Sequence, residues 1–287
     1  MGVVRTIEAV GRTVGRAGEP GGVASVRLTV DTQDWGYRAK LGDSVSVSGC
    51  CLTVAAKPAR GGRILAFDIV RETLDKTMLG GLRCGSRVNL EHAATPSTLL
   101  GGHLVQGHVD GVGVVVSAPV SMQAARRRDE WRVRIALPVL GGGVRSGGTG
   151  EAGGGGGVSM AHLAECIAPK GSICVDGVSL TVADVWGAGG VVGGGRGQRG
   201  ERGFEVALIP TTLAKTTLAD LRAGDRVNLE VDLIARMVVW ALRQSGRLEG
   251  SAEKRVGSGR VGGRRGGSAR RSVNRSGPKK ALARGKS

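Results

Sequence analysis

Two short phrases in this chain carry residue types that could do chemistry. "SGCCLTV" fills positions 48–54 and "DGVSLTV" fills 176–182. In an extended strand, residues two apart share a face. Cys51 and Thr53 therefore point one way while Cys50 points the other, and Ser179 and Thr181 repeat that pairing. Each copy offers a thiol or hydroxyl beside a threonine, which suits a small polar ligand. The bland alternative is a tight wall whose hydroxyls bond locally. The recurrence of the pair with a Cys/Ser exchange favours the ligand.

A third phrase, "LGGHLVQGHVDG" at 100–111, sets His103 and His108 five apart with a glycine before each. Glycine lets backbone approach a ligand closely, and a histidine titrating near neutrality serves as general acid or base. The spacing is not HxxxH and no carboxylate motif converges on it, so metal binding is not indicated. A structural role for either histidine stays open. Lys170 and Asp176 flank the second polar phrase, whereas the aligned positions in the first are Gly42 and Ser48. A charged pair in one copy only suggests that one half binds and the other reacts; a solvated ion pair is the alternative. The glycine-rich stretches contain no GxxxxGK[ST], and no GxGxxG opens a helix after a strand, so they read as insertions.

The elements that must position these residues are themselves repeated. "RETLDKTMLGGLRCGSRVNLE" at 71–91 aligns with "PTTLAKTTLADLRAGDRVNLE" at 210–230, identical at 13 of 21 positions without gaps. "IEAVG" at 7–11 matches "VDGVG" at 109–113 and marks where each copy begins. The chain is thus a tandem duplication, with a first unit at 1–100 and a second at 101–232. The second carries glycine-rich insertions near 141–157 and 187–203. Each copy reads as about six short β-strands, with the phrases around residues 49 and 177 bent or bulged at glycine. Closure into a small barrel would remove exposed strand edges. "ETLDKTMLGGL" and its counterpart read as a helical turn between strands. Ile234, Met237, Val238, Ala241 and Leu242 follow helical spacing, which predicts an amphipathic helix over 233–248. Its apolar face requires a partner, either its own chain or other copies.

Composition sets the outer bounds. The chain has 287 residues, 40% hydrophobic but only 2% aromatic, so its cores must rest on Val, Leu, Ile and Ala. The net charge of +17 is concentrated in a Gly/Ser/Arg tail: positions 246–287 hold 13 Lys/Arg against two Glu. The tail at 249–287 reads as a disordered basic extension, with nucleic acid a partner only through that tail. Five cysteines, an odd number without CxxC or a secretory signal, point to a reducing compartment. That implies the cytoplasm, or a plastid if a leader is missing. No apolar run of membrane-spanning length occurs, so no membrane association is expected.

Together, "SGCCLTV", "GGHLVQGHVDG", "KGSICVDGVSLTV", "LIPTTLAKTTL" and the two "VNLE" copies resemble the riboflavin synthase alpha-chain family, built from two lumazine-binding repeats. The resemblance covers about residues 3–242. It implies a mainly β fold of two tandem six-stranded Greek-key barrels, followed by a C-terminal helix that assembles a homotrimer. It also implies dismutation of two 6,7-dimethyl-8-ribityllumazine molecules by four-carbon transfer, without cofactor or metal. The products would be riboflavin and 5-amino-6-ribitylaminouracil. The alternative is a non-catalytic lumazine- or flavin-binding paralogue.

Carried onto this sequence, the resemblance implies a first-barrel pocket of Cys51, Leu52 and Thr53 with Ser44 nearby. Asp68, Ile69, Val70, Arg71, Glu72 and Thr73 would form its wall. His108, between Gly107 and Val109, would transfer the proton. In the second barrel, Ser179, Leu180 and Thr181 would be joined by Lys170 and Asp176. The matching wall would be Leu208, Ile209, Pro210, Thr211, Thr212 and Leu213. Cys51, His108, Lys170, Asp176 and Ser179 would be the catalytic set. The chain departs from the family's Met-Phe-Thr-Gly-Ile-Val opening: Val3 stands for the aromatic and Arg5 for the glycine.

Overall fold

β-Branched residues alternating with polar ones build the same series of strands twice. The computed structural model describes residues 1–12, 23–121, 131–137, 160–187 and 202–248. Most of the two glycine-rich insertions and the whole of the tail expected at 249–287 lie outside the described residues. The first repeat runs β1 (Gly2–Arg12), β2 (Val23–Asp31), β3 (Ser44–Val47), β4 (Cys50–Thr53), β5 (Ile64–Val70), α1 (Arg71–Lys76), β6 (Arg87–Val88) and β7 (Leu90–His92). The second runs β8 (Gly111–Ser121), β9 (Trp131–Leu137), α2 (Met160–Glu165), β10 (Ser172–Val175), β11 (Val178–Trp186), β12 (Arg202–Leu208), α3 (Pro210–Lys215) and β13 (Arg226–Val231). Helix α4 (Leu233–Gln244) follows, four residues shorter than its apolar pattern predicts.

The second repeat is a closed barrel in the order β10-β11-β12-β9-β8-β13. The first keeps that order but falls into two sheets, β5-β2-β1-β6 and β4-β3-β7. One break lies at Asn89, between β6 and β7. The other lies between β4 and β5, where a single bridge joins Val54 to Phe67 and the Ala55 N–H donates to the Ala66 carbonyl at 2.8 Å. The expected pair of six-stranded barrels is therefore one closed barrel and one with an open seam.

Each repeat has its own core of Val, Leu and Ile, with Phe67 in the first and Phe204 in the second, both wholly buried. The matching helices end alike. Thr77 and Thr216 each donate a hydroxyl back to the carbonyl four residues earlier, at 2.6 and 2.7 Å. Each then accepts the N–H two residues on, at 3.2 and 3.3 Å.

The glycines expected to bend or bulge the polar phrases instead reverse the chain. Ser48 and Gly49 have φ of +44° and +81°, and Asp176 and Gly177 have +47° and +80°. Two successive left-handed residues make the two-residue turn whose twist matches a right-twisted hairpin. Each phrase is thus a hairpin, β3–β4 or β10–β11.

These two turns meet where the repeats join. A Cβ on Gly49 would lie 2.7 Å from the Gly177 nitrogen, and one on Gly177 would lie 2.8 Å from the Gly49 nitrogen. Only glycine fits such an approach. The asparagine of each "VNLE" phrase clasps the opposite turn: Asn89 Nδ2 donates to the Asp176 carbonyl at 2.9 Å, and Asn228 Nδ2 donates to the Ser48 carbonyl at 2.7 Å. Their Oδ1 atoms accept Thr217 N–H and Met78 N–H, at 2.9 and 2.7 Å. The reciprocity gives the two repeats a pseudo-two-fold relation.

Candidate active site between the repeats

Strand alternation puts the polar pairs where the sequence places them. Along β4, Cys50 and Leu52 are buried while Cys51 and Thr53 are exposed. Along β11, Leu180 is buried between exposed Ser179 and Thr181. Cys51 and Ser179 open onto one cavity of about 410 Å³ at the junction, with Ser44, His103, Gly107 and Glu230 also in its lining. That volume falls at the small end of single-ligand clefts, roughly 300–1,000 Å³.

His103 supplies the closest polar contact in this cavity. Its Nδ1 lies 2.6 Å from Ser179 Oγ, across 76 positions of sequence. His103 is 7% exposed, and its buried Nε2 has no hydrogen-bond partner among the described residues. Burial holds its pKa below the ordinary histidine value, against the opposing pull of Asp232 and Glu230. A neutral imidazole beside a serine hydroxyl can take or hold that hydroxyl's proton.

The segment carrying both histidines is strapped to the second barrel by carboxylates. Leu104 N–H donates to Asp232 at 3.0 Å, and Gln106 and Gly107 N–H donate to Glu230 at 2.7 and 3.0 Å. Asp110 accepts from Val231 N–H at 2.8 Å and from the Arg236 guanidinium at 2.7 Å. The same segment then reaches the first repeat. Cys51 N–H donates to the Gly107 carbonyl at 2.8 Å, and Val109 packs on the first core. A Cβ on Gly107 would meet the Cys51 Cβ at 2.8 Å, so glycine is required there. His108 follows it and is exposed.

Other residues named from the sequence fall elsewhere. Asp176 is buried at the junction, where its carboxylate accepts Asn228 N–H at 2.8 Å. Burial pushes its pKa up to about 7. Lys170 is exposed with φ +67°, a conformation its counterpart Gly42 adopts freely at +87°. A lysine kept in a glycine conformation marks a place where backbone strain is tolerated.

Leu52, Ile69, Leu180 and Leu208 belong to the cores. Asp68 grips Arg27 at 2.7 and 2.8 Å, Arg71 pairs with Asp75, and Glu72 with Lys76. Thr73 and Thr212 lend their carbonyls to the helix-ending threonines. Val70 and Ile209 stand 56% and 60% exposed just before α1 and α3. Pro210 starts α3 and Thr211 is exposed on it, while Leu213 packs on the second core.

All five cysteines are free. Burial pushes the Cys50 and Cys174 thiols up to about 12, which makes them inert at neutral pH. Sequence reasoning did not anticipate Glu230, Asp110 and Asp232 as the pins of the histidine segment. The repeated "VNLE" glutamate was the available signal: both copies, Glu91 and Glu230, line the cavity.

The Lumazine binding domain model matches residues 1–93 and again 106–232, so each hairpin just described falls within one of the two matches. The riboflavin synthase of Mycobacterium bovis is 39% identical over 229 residues, covering 78% of this chain and 91% of that protein. This chain belongs to the riboflavin synthase family. The Photobacterium phosphoreum riboflavin synthase is 33% identical over 232 residues, covering 81% and 85%. In fold, the chain is similar to the crystal structure of LumP complexed with 6,7-dimethyl-8-(1'-D-ribityl) lumazine, with a TM-score of 0.52 and 19% identity over 80% of this chain and 94% of that one. Among the described residues, no helix is long and apolar enough to cross a membrane.

Proposed function

We propose that this riboflavin synthase family member dismutates 6,7-dimethyl-8-ribityllumazine. Two molecules exchange a four-carbon unit, giving one riboflavin and one 5-amino-6-ribitylaminouracil. The observation that carries this reading is the cavity at the junction. The residues at which the duplicated phrases differ, Cys51 and Ser179, both open onto it, and His103 is bonded to one of them.

The substrate's C7 methyl is acidic because the ring delocalises the resulting carbanion, so a base and a polar pocket suffice. Exposed His108 takes that proton. Ser179, backed by the buried neutral imidazole of His103, faces the second ring at its electrophilic carbon. Lys170, exposed in the same repeat but outside the cavity lining, would add positive charge to that half. Cys51 and Thr53 hold the ligand of the first repeat. Holding two rings face to face supplies orientation, an effect worth up to roughly 7–11 kcal/mol.

One cavity of this size suits one substrate, while Thr53 and Val70, like Thr181 and Ile209, remain exposed on the single chain. A second copy would cover them. Helix α4 offers the means of assembly, with Ile234, Met237, Val238 and Trp240 each more than half exposed. A homotrimer built on this helix would set the first repeat of one subunit against the second repeat of another. Five free cysteines suit a cytoplasmic setting.

The deciding experiment mixes the protein with 6,7-dimethyl-8-ribityllumazine alone and follows absorbance. One riboflavin formed for every two lumazines consumed is the expected result. Binding without product would overturn the proposal in favour of a non-catalytic paralogue.

A further inference from the structure

Rings are scarce in this chain, which has two Phe, four Trp and one Tyr. Both phenylalanines are spent in the barrel cores. Yet the loop between β2 and β3 holds Trp35 and the single tyrosine, Tyr37, with ring centroids 5.3 Å apart at 58°. Tyr37 in turn stacks on His92, with centroids 4.7 Å apart at 29°. Trp35 and Tyr37 also pack on the first core, which accounts for their presence. His92 belongs to neither core. It is exposed at the end of β7 and lines the cavity that holds Cys51 and Ser179.

The row is braced along its length. The Tyr37 hydroxyl donates to Asp43 at 3.0 Å, and Asp43 also accepts Lys40 N–H at 2.9 Å. His92 Nδ1 lies 2.9 Å from the Ala93 carbonyl, which orients the imidazole. Among the described residues, Tyr37 is the one ring packed against it. A braced row of rings that ends on a cavity wall is a preformed surface for another flat ring.

We propose that His92, backed by Tyr37 and Trp35, is a stacking platform for the planar heteroaromatic ring of the ligand in the junction cavity. The class is an electron-poor fused heterocycle such as a pteridine or isoalloxazine, which stacks favourably on electron-rich rings. This rests on the reading of the chain as a riboflavin synthase, and adds a residue that sets ligand affinity without touching the proton chemistry.

The test titrates riboflavin by its own fluorescence quenching against the full chain, His92→Ala and His92→Phe, with thermal melts to confirm folding. Lumazine turnover is measured on the same preparations. His92→Ala should raise the riboflavin Kd on the order of 5- to 150-fold, the range for losing one stacked ring. His92→Phe, which keeps a flat ring, should stay within about threefold of the parent. A folded His92→Ala with parental affinity overturns the platform, as does His92→Phe binding as weakly as alanine, or a parent that binds no riboflavin. A parent that binds riboflavin but forms none from lumazine, with His92→Ala still impaired, overturns the proposed reaction and leaves the platform standing.

Discussion

The two repeats share their strand order, their helix-ending threonines and their junction asparagines, yet they treat the equivalent polar positions differently. In the second repeat the strand ladder closes and Ser179 is backed by His103. A lysine there holds a left-handed position. In the first repeat the ladder is split, Cys51 is bonded through its backbone to Gly107, and glycine takes that left-handed position. On the proposed reading the reactive half is the closed barrel, whose ladder carries Ser179 against His103. The seamed barrel keeps the simpler wall. Duplication supplied two similar polar phrases, and the linking segment, which belongs to neither ladder, made their surroundings unequal.

The sharpest way to break this comparison is to exchange the two polar residues. Ser179→Ala should lower kcat for lumazine roughly 10²-fold or more while changing its Kd little, as expected for loss of a proton-handling group. Cys51→Ser should cost about tenfold at most, since it gives the first repeat the hydroxyl the second already uses. Equal losses from the two would erase the proposed division of labour. His103→Ala should resemble Ser179→Ala in kcat, and a parental rate would remove the histidine from the second half-site.

Assembly is the next lever. Met237→Glu places a charge on the exposed face of α4 without disturbing its cap or its Arg243–Glu165 pair. Sedimentation should show monomers, with activity reduced about tenfold or more through loss of the facing pocket. A fully active monomer would show that both substrates are handled within one chain.

The junction separates the repeats more gently. Asp176 is buried with its pKa raised to about 7, whereas its counterpart Ser48 has no charge. A raised carboxyl pKa means that the fold prefers the neutral form. The resulting stability is fully present below the unfolded value of about 3.9 and lost as pH rises through about 7. Melting temperature should therefore fall between about pH 4 and about pH 7 and level off above that, and Asp176→Asn should flatten that slope. An unchanged slope would mean that Asp176 is not the group responsible. Smallest of all, Asn228→Ala should destabilise by about 1–3 kcal/mol in denaturant unfolding, with Asn89→Ala costing less because it is the more exposed of the two.

Much of this was legible in the residues. Alternation alone separated Cys51 from Cys50 and Ser179 from Leu180, because a strand has only two faces. Repeat alignment located α1 against α3. The turn at 176–177 was legible, since Asp-Gly between apolar runs is a strong reversal signal, but its β-branched flanks suit a single bulged strand equally well. The Ser179–His103 contact was not legible, since nothing local links residues 76 apart. The role of Asp176 was hidden for a related reason. A lone aspartate beside a polar phrase resembles a catalytic group until the partner repeat is seen to bury it. The seam in the first barrel has no signature, because strands β4 and β5 keep strand composition on both sides of it.

One carboxylate couples two jobs. Asp232 caps helix α4, accepting Ile234 and Ala235 N–H through one oxygen, and holds Leu104, next to His103, through the other. The helix that would dock subunits and the histidine bonded to Ser179 thus share a single fulcrum. Were seating of the helix to steady the histidine through this carboxylate, reciprocal linkage would make a ligand that orders the histidine tighten the docked helix by the same factor. Activity of such a chain would fall on dilution more steeply than its folded fraction, and substrate would resist that fall.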